Sequence, residues 1–172
     1  MKYLVIIVLV ITSIPTHAQA STLPQWFLTS FKRHHLNDRY EIKSNLKPTF
    51  LQGDFNGDGV NDIAALVTEK KTHKGGILLI HGCTDQWFVF GAGTDFGSGS
   101  DDFFNWLKKW KLCREKVVYE TTIDKDDNIT GSRTVKLKRP GINLLMKEEA
   151  EPSPVAVIYW NGKKYIWIHQ GE

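Results

Sequence analysis

The sequence predicts an α+β fold, mostly antiparallel β with one or two short helices. Three observations carry that expectation. The apolar runs Ile63–Glu69, Gly76–His81 and Trp87–Phe90 follow one another between polar or glycine-bearing turns, as in a meander. Val155–Trp160 and Lys163–His169 flank Asn161-Gly162, the clearest hairpin signal in the chain. Helical spacing is confined to two stretches, 21–36 and 101–110.

Met1 to Ala20 has the form of a secretory signal peptide. Lys2 gives the positive start, Tyr3 to Ile11 is almost unbroken apolar sequence, and Ala18-Gln19-Ala20 is a small-x-small cleavage site. The apolar run is short for a membrane span, the alternative being an uncleaved anchor. No Cys follows it, which argues against a lipoprotein, and no second long apolar segment occurs. Residues 21–172 are expected to form a single globular domain, exported to the periplasm or secreted, with no membrane segment after cleavage. The formal net charge is +3, one less without Lys2. That balance carries no nucleic-acid footprint, which would show as a clustered basic face.

Ser21 to Leu36 reads as a helix. Ser21 or Thr22 can cap it, Pro24 suits its first turn, and Trp26, Phe27 and Phe31 supply an apolar side. Lys32, Arg33, His34 and His35 crowd its C-terminal end, where positive charge meets the helix dipole favourably. Adjacent histidines on a helix point about 100° apart, so they are read as capping or solvated rather than chelating. Asn37 to Lys47 is polar and ends in a turn before Pro48.

Thr49–Phe55 leads into the stretch Gly53 to Leu66, GDFNGDGVNDIAAL, around which the chain is organised. Asp54, Asn56, Asp58 and Asp62 stand at positions 1, 3, 5 and 9 of a loop. Alternate side chains of a tight loop can point at one centre, and Ca²⁺ takes oxygen ligands of this kind. Val60, at position 7, can add its backbone carbonyl. Gly59 sits at position 6, where the chain must bend sharply. An EF-hand would need Glu at position 12 and a following helix; Ala65 stands there, followed by a short apolar run. The expectation is therefore a strand-loop-strand calcium loop. A plain solvated turn is the alternative, since Asp, Asn and Gly are also ordinary turn residues.

These residues resemble the calcium loop of FG-GAP and VCBS-type repeats, which runs DxDxDGxxD and precedes a short apolar strand. The resemblance implies ligands at Asp54, Asn56, Asp58, the Val60 carbonyl and Asp62, with Asn56 supplying oxygen without charge. A single such loop argues against a full β-propeller, which needs several similar blades. The tail VAVIYWNGKKYIWIHQGE resembles the end of exported bacterial proteins with one such loop, and that resemblance implies no particular activity.

Farther along, Gly91 to Ser100 is rich in glycine but does not satisfy GxGxxG and has no Gly-Lys-Ser/Thr, so it reads as a connection. Asp101 to Trp110 carries Phe103, Trp106, Leu107 and Trp110 at helical spacing, with Ser100 as a cap. These aromatics read as core, with sugar or peptide stacking by Trp106 or Trp110 as the alternative. Lys116–Thr122 and Arg133–Lys138 read as paired strands around an acidic turn at 124–128. Ile142–Lys147 is a further strand.

Cys83 and Cys113 are the only cysteines. In an exported chain they are candidates for a disulfide, the alternatives being buried or reactive thiols. His81 and Cys83 share a strand face, but no third group completes a nucleophile. The expected function is a non-catalytic exported domain with structural Ca²⁺ that binds a protein or glycan partner. A periplasmic inhibitor or immunity-type protein is the first alternative, and a metal-dependent hydrolase using the Asp cluster the second.

Overall fold

The computed structural model describes residues 22–97, 101–126, 128–147 and 152–171. Residues 1–20, read above as a signal peptide, lie outside them, as do Ser21 and Ser100. Two short helices, α1 (Gln25–Arg33) and α2 (Leu36–Arg39), precede eleven strands: β1 (Tyr40–Lys43), β2 (Phe50–Gly53), β3 (Asp62–Glu69), β4 (Gly75–Ile80), β5 (Trp87–Gly91), β6 (Leu107–Cys113), β7 (Val117–Ile123), β8 (Ile129–Lys136), β9 (Gly141–Lys147), β10 (Pro152–Trp160) and β11 (Tyr165–His169). Every pairing between these strands is antiparallel. The expected α+β, mostly antiparallel architecture is what the chain adopts, and the described residues form neither a closed barrel nor a propeller.

Two sheets pack face to face. The first contains β1 to β5, with β3 at its centre. The short strands β2 and β1 lie end to end along one edge of β3, pairing with Asp62–Ala65 and Leu66–Glu69 respectively. The second sheet has the order β11-β10-β9-β6, and β7 with β8 forms a separate two-stranded ribbon. Alternation along β3 explains its role. Ala64 and Leu66 join Ile77, Leu79, Phe90, Trp110, Leu144 and Ile158 in the core between the sheets. Ile63, Ala65 and Val67 face the opposite way, against Phe27, Phe31 and Leu36 of the helices. Covered on both faces, β3 and β4 read as continuous apolar runs rather than alternating ones. A third cluster, with Cys113, Val118, Leu137, Val157 and Ile168, fixes the ribbon to the far face of the second sheet.

Four local expectations are corrected. The first helix is shorter, and Trp26 is exposed rather than part of its apolar side. His35, at φ 55°, interrupts the helical path, and Asn37 to Lys47 contains α2 and β1 rather than only a polar connection. The stretch 101–110 is not a helix. It is one 3-10 turn at Phe103–Asn105 followed by β6. Phe103, Leu107 and Trp110 are buried as expected, but the register shift between Leu107 and Lys109 inserts one extra residue. A bulge puts residues three apart on one face of a strand, which imitates helical spacing. Finally, the β10–β11 loop has four residues, because Trp160 pairs with Tyr165. Asn161 Oδ1 accepts from the backbone N–H of Lys163 and Lys164, and only Gly162 takes a positive φ, 102°.

Candidate functional site

The loop Asp54–Asn61 joins β2 to β3, so the expected strand-loop-strand is present. Phe55, fully buried in the core between the sheets, anchors it from within. Gly57 and Gly59 have φ of 82° and 88°, a region that side chains strain. Nothing lies where a Cβ on Gly59 would stand, so φ alone calls for glycine there. At Gly57 a Cβ would also stand 3.0 Å from Arg139 Nε.

The loop folds around its own carboxylates. Asp54 Oδ1 accepts from the backbone N–H of Gly57 at 2.6 Å and Asp58 at 3.0 Å, and its Oδ2 accepts from Gly59 at 2.9 Å. Asp58 Oδ1 accepts from Val60 N–H, and Asn56 Nδ2 donates to Asp58 Oδ2 at 2.7 Å. That amide bond, followed by the Val60 N–H, holds the Asp58 carboxyl below the usual carboxylate range. Asp62 begins β3 and is fully buried. Its Oδ2 accepts from Phe55 N–H at 2.8 Å and Asn56 N–H at 3.3 Å, and its Oδ1 accepts from Gly82 N–H at 3.0 Å. Burial nonetheless outweighs these donors and pushes its pKa up to about 6. Asp62 thus ties the loop to the β4–β5 connection.

Three further residues have partners that sequence reasoning did not supply. Arg139, on the β8–β9 connection, donates from Nη1 to the Asn56 carbonyl at 2.7 Å. His81, buried at the end of β4, shares a 2.8 Å hydrogen bond between Nε2 and the Tyr165 hydroxyl. Burial lowers the His81 pKa, opposed by the charges of Asp58 and Asp54. Burial, followed by the Asp62 charge, pushes the Tyr165 pKa up. Both partners meet Phe88 and Trp160 edgewise or tilted, so His81 belongs to an aromatic cluster, and its described hydrogen bond is not to Cys83. Asp85 is the third. It accepts from Ser30 Oγ and pairs with Arg33 and His34, joining α1 to the β4–β5 connection. The histidine pair is therefore split: His34 holds Asp85, while His35 forms the left-handed break between helices.

The donor set of the loop suits a hard cation: three carboxylates, an amide oxygen and the Val60 carbonyl. A carboxylate oxygen that accepts one N–H retains a further lone pair. The acidic side chains are nevertheless spread around the turn. Among the described residues, no group of three or more His, Cys, Asp or Glu side chains is disposed as a ready-made cage. The residues fit such an ion by the chemistry of their donors.

Cys83 is an exposed free thiol, and Cys113 a buried one that donates from Sγ to Glu115 Oε2 at 3.0 Å. Burial and the Glu115 carboxylate push the Cys113 pKa up to about 12, so it is a poor thiolate source. Trp110 is fully buried and donates from Nε1 to the Pro48 carbonyl at 2.8 Å, which removes it as a stacking platform. Trp106 is half-buried and packs on Phe103 and Trp167. Between β7 and β8, Asp124 Oδ1 accepts from the backbone N–H of Asp126 and Asn128. Comparison with family models, with curated proteins and with solved structures finds no match.

Proposed function

We propose that this chain is an exported, non-catalytic binding module whose 54–62 loop takes Ca²⁺ as a structural brace. The observation that carries the reading is the loop itself. Asp54, Asn56, Asp58 and Asp62 alternate along a strand-loop-strand, with glycines at positive φ where the turn is tightest. Asp54, Asn56, Asp58, the Val60 carbonyl and Asp62 would hold the ion. A bound divalent cation supplies positive charge among carboxylates that otherwise depend on backbone N–H groups. Extracellular calcium modules bind at about 10⁻⁴ to 10⁻³ M, which suits a permanent brace rather than a signal.

The binding role draws support from the β7–β8 ribbon. Val117, Tyr119, Ile123 and Ile129 are exposed on it. Solvent-facing apolar and aromatic residues grouped on one element favour a protein or glycan partner. Calorimetric titration of the mature chain with Ca²⁺ tests the reading. Saturable binding of one ion, lost in Asp58→Ala, is expected; heat of dilution alone would refute the calcium assignment.

A further inference from the structure

We propose that the cavity between the β6–β7 and β8–β9 connections binds a small oxyanion, a phosphate or sulfate group. The cavity is about 240 Å³, lined by Arg114, Lys116, Lys138 and Arg139, with Glu115 its acidic residue and Leu137 its apolar one. In sequence these cations sit in two separate segments. A backbone hydrogen bond from Leu137 N–H to the Lys116 carbonyl, 2.9 Å, brings the segments together.

Four features point to an anion. First, among the described residues none of the four cations is in an ion pair, whereas Arg33, Arg39, Lys43, Lys74 and Arg133 are. Four like charges gathered around the single carboxylate of Glu115 leave a net positive cluster, and an anion placed among them relieves the repulsion. Second, Glu115 is already engaged. The Cys113 thiol donates to it and is the main cause of its lowered pKa. Third, the frame is fixed rather than free. Lys138 N–H donates to the Tyr159 hydroxyl at 3.0 Å, and Leu137 is buried in the cluster beneath the ribbon. Arg139 spends one Nη1 donor on Asn56 and also lines the cavity. Guanidinium groups suit the oxygens of phosphate-like groups. Fourth, the volume is below the roughly 300–1,000 Å³ of sites that enclose drug-sized molecules, so it matches one charged group rather than an extended ligand.

This site requires no calcium, and its test is run in EDTA, so its failure and that of the calcium reading are separable. The mature protein is titrated with inorganic phosphate, then sulfate, at fixed ionic strength, and followed by ¹H–¹⁵N NMR. Saturable shifts are expected at the amides of 114–116 and 137–139. The Arg114→Gln/Lys138→Gln variant should weaken them at least about tenfold, while Lys163→Gln/Lys164→Gln, an equal charge change on the β10–β11 loop, should leave them unchanged. Should the first pair fail to fold, each single variant carries the test with a loss of about threefold. Shifts that never saturate, or equal losses in both double variants, would overturn the proposal. So would retention on phosphatidylglycerol vesicles without saturable binding of the free ions, since that shows only diffuse attraction to a charged surface.

Discussion

Arg139 Nη1 donates to the main-chain carbonyl of Asn56 at 2.7 Å, across 83 residues of sequence, and so clamps the acidic loop to the β8–β9 connection. A hydrogen bond from a charged donor contributes about 1.5–3 kcal/mol. Arg139→Ala should cost that much in EDTA, measured by urea unfolding. It also removes a positive charge beside the loop, so calorimetry should show tighter calcium binding in the variant. Unchanged stability would mean that the clamp contributes nothing in solution.

The two loop glycines should differ in their sensitivity. Gly59→Ala meets open space and strains only φ, at about 1 kcal/mol. Gly57→Ala carries the same strain and also crowds Arg139 Nε, so it should cost at least about 1 kcal/mol more. That excess should vanish in an Arg139→Ala background. A double-mutant cycle with no coupling between positions 57 and 139 would contradict the packing described here.

Asp62 makes the calcium-free fold sensitive to pH. Its pKa is about 6 in the folded chain against an ordinary 3.8. A carboxyl raised by folding binds its proton more tightly folded than unfolded. Its contribution is therefore full below 3.8 and is lost as pH rises through about 6, by roughly 3 kcal/mol in all. Calcium should reverse the tendency by favouring the ionised carboxylate. A carbon-detected NMR titration in EDTA should place the Asp62 midpoint near 6, and calcium should lower it. A midpoint in the ordinary carboxylate range without calcium would contradict the burial argument.

Tyr165→Phe leaves buried His81 without its described hydrogen-bond partner. The expected cost is about 1–3 kcal/mol by denaturant unfolding, with calcium binding largely retained because neither residue belongs to the predicted ligand set. A neutral result would show that water replaces the hydroxyl.

Much of this architecture is legible along the chain because its signals are local. The apolar runs of β3 and β4 and the alternation of acids and glycines at 54–62 need no distant partner to be read. The stretch 101–110 misleads for a physical reason. The bulge at Lys108 places Leu107 and Trp110 on one face at a spacing shared with a helix. The Asn161-Gly162 signal locates its hairpin correctly, yet the Asn161 side chain closes a four-residue loop in place of a two-residue turn. Arg139, His81 and Asp85 give no local signal. Their partners Asn56, Tyr165 and Ser30 lie 83, 84 and 55 residues away, so only the packing of the two sheets and α1 brings them together.

Thermal unfolding of residues 21–172 in EDTA and in millimolar Ca²⁺, with Asp58→Ala alongside, tests the central claim most directly. A ligand that binds only the native state stabilises it by about 2.7 kcal/mol at 100-fold saturation. The account predicts a clear rise in Tm with calcium that Asp58→Ala abolishes. An identical Tm with and without calcium in the wild-type protein would contradict it and leave residues 54–62 a self-capped turn.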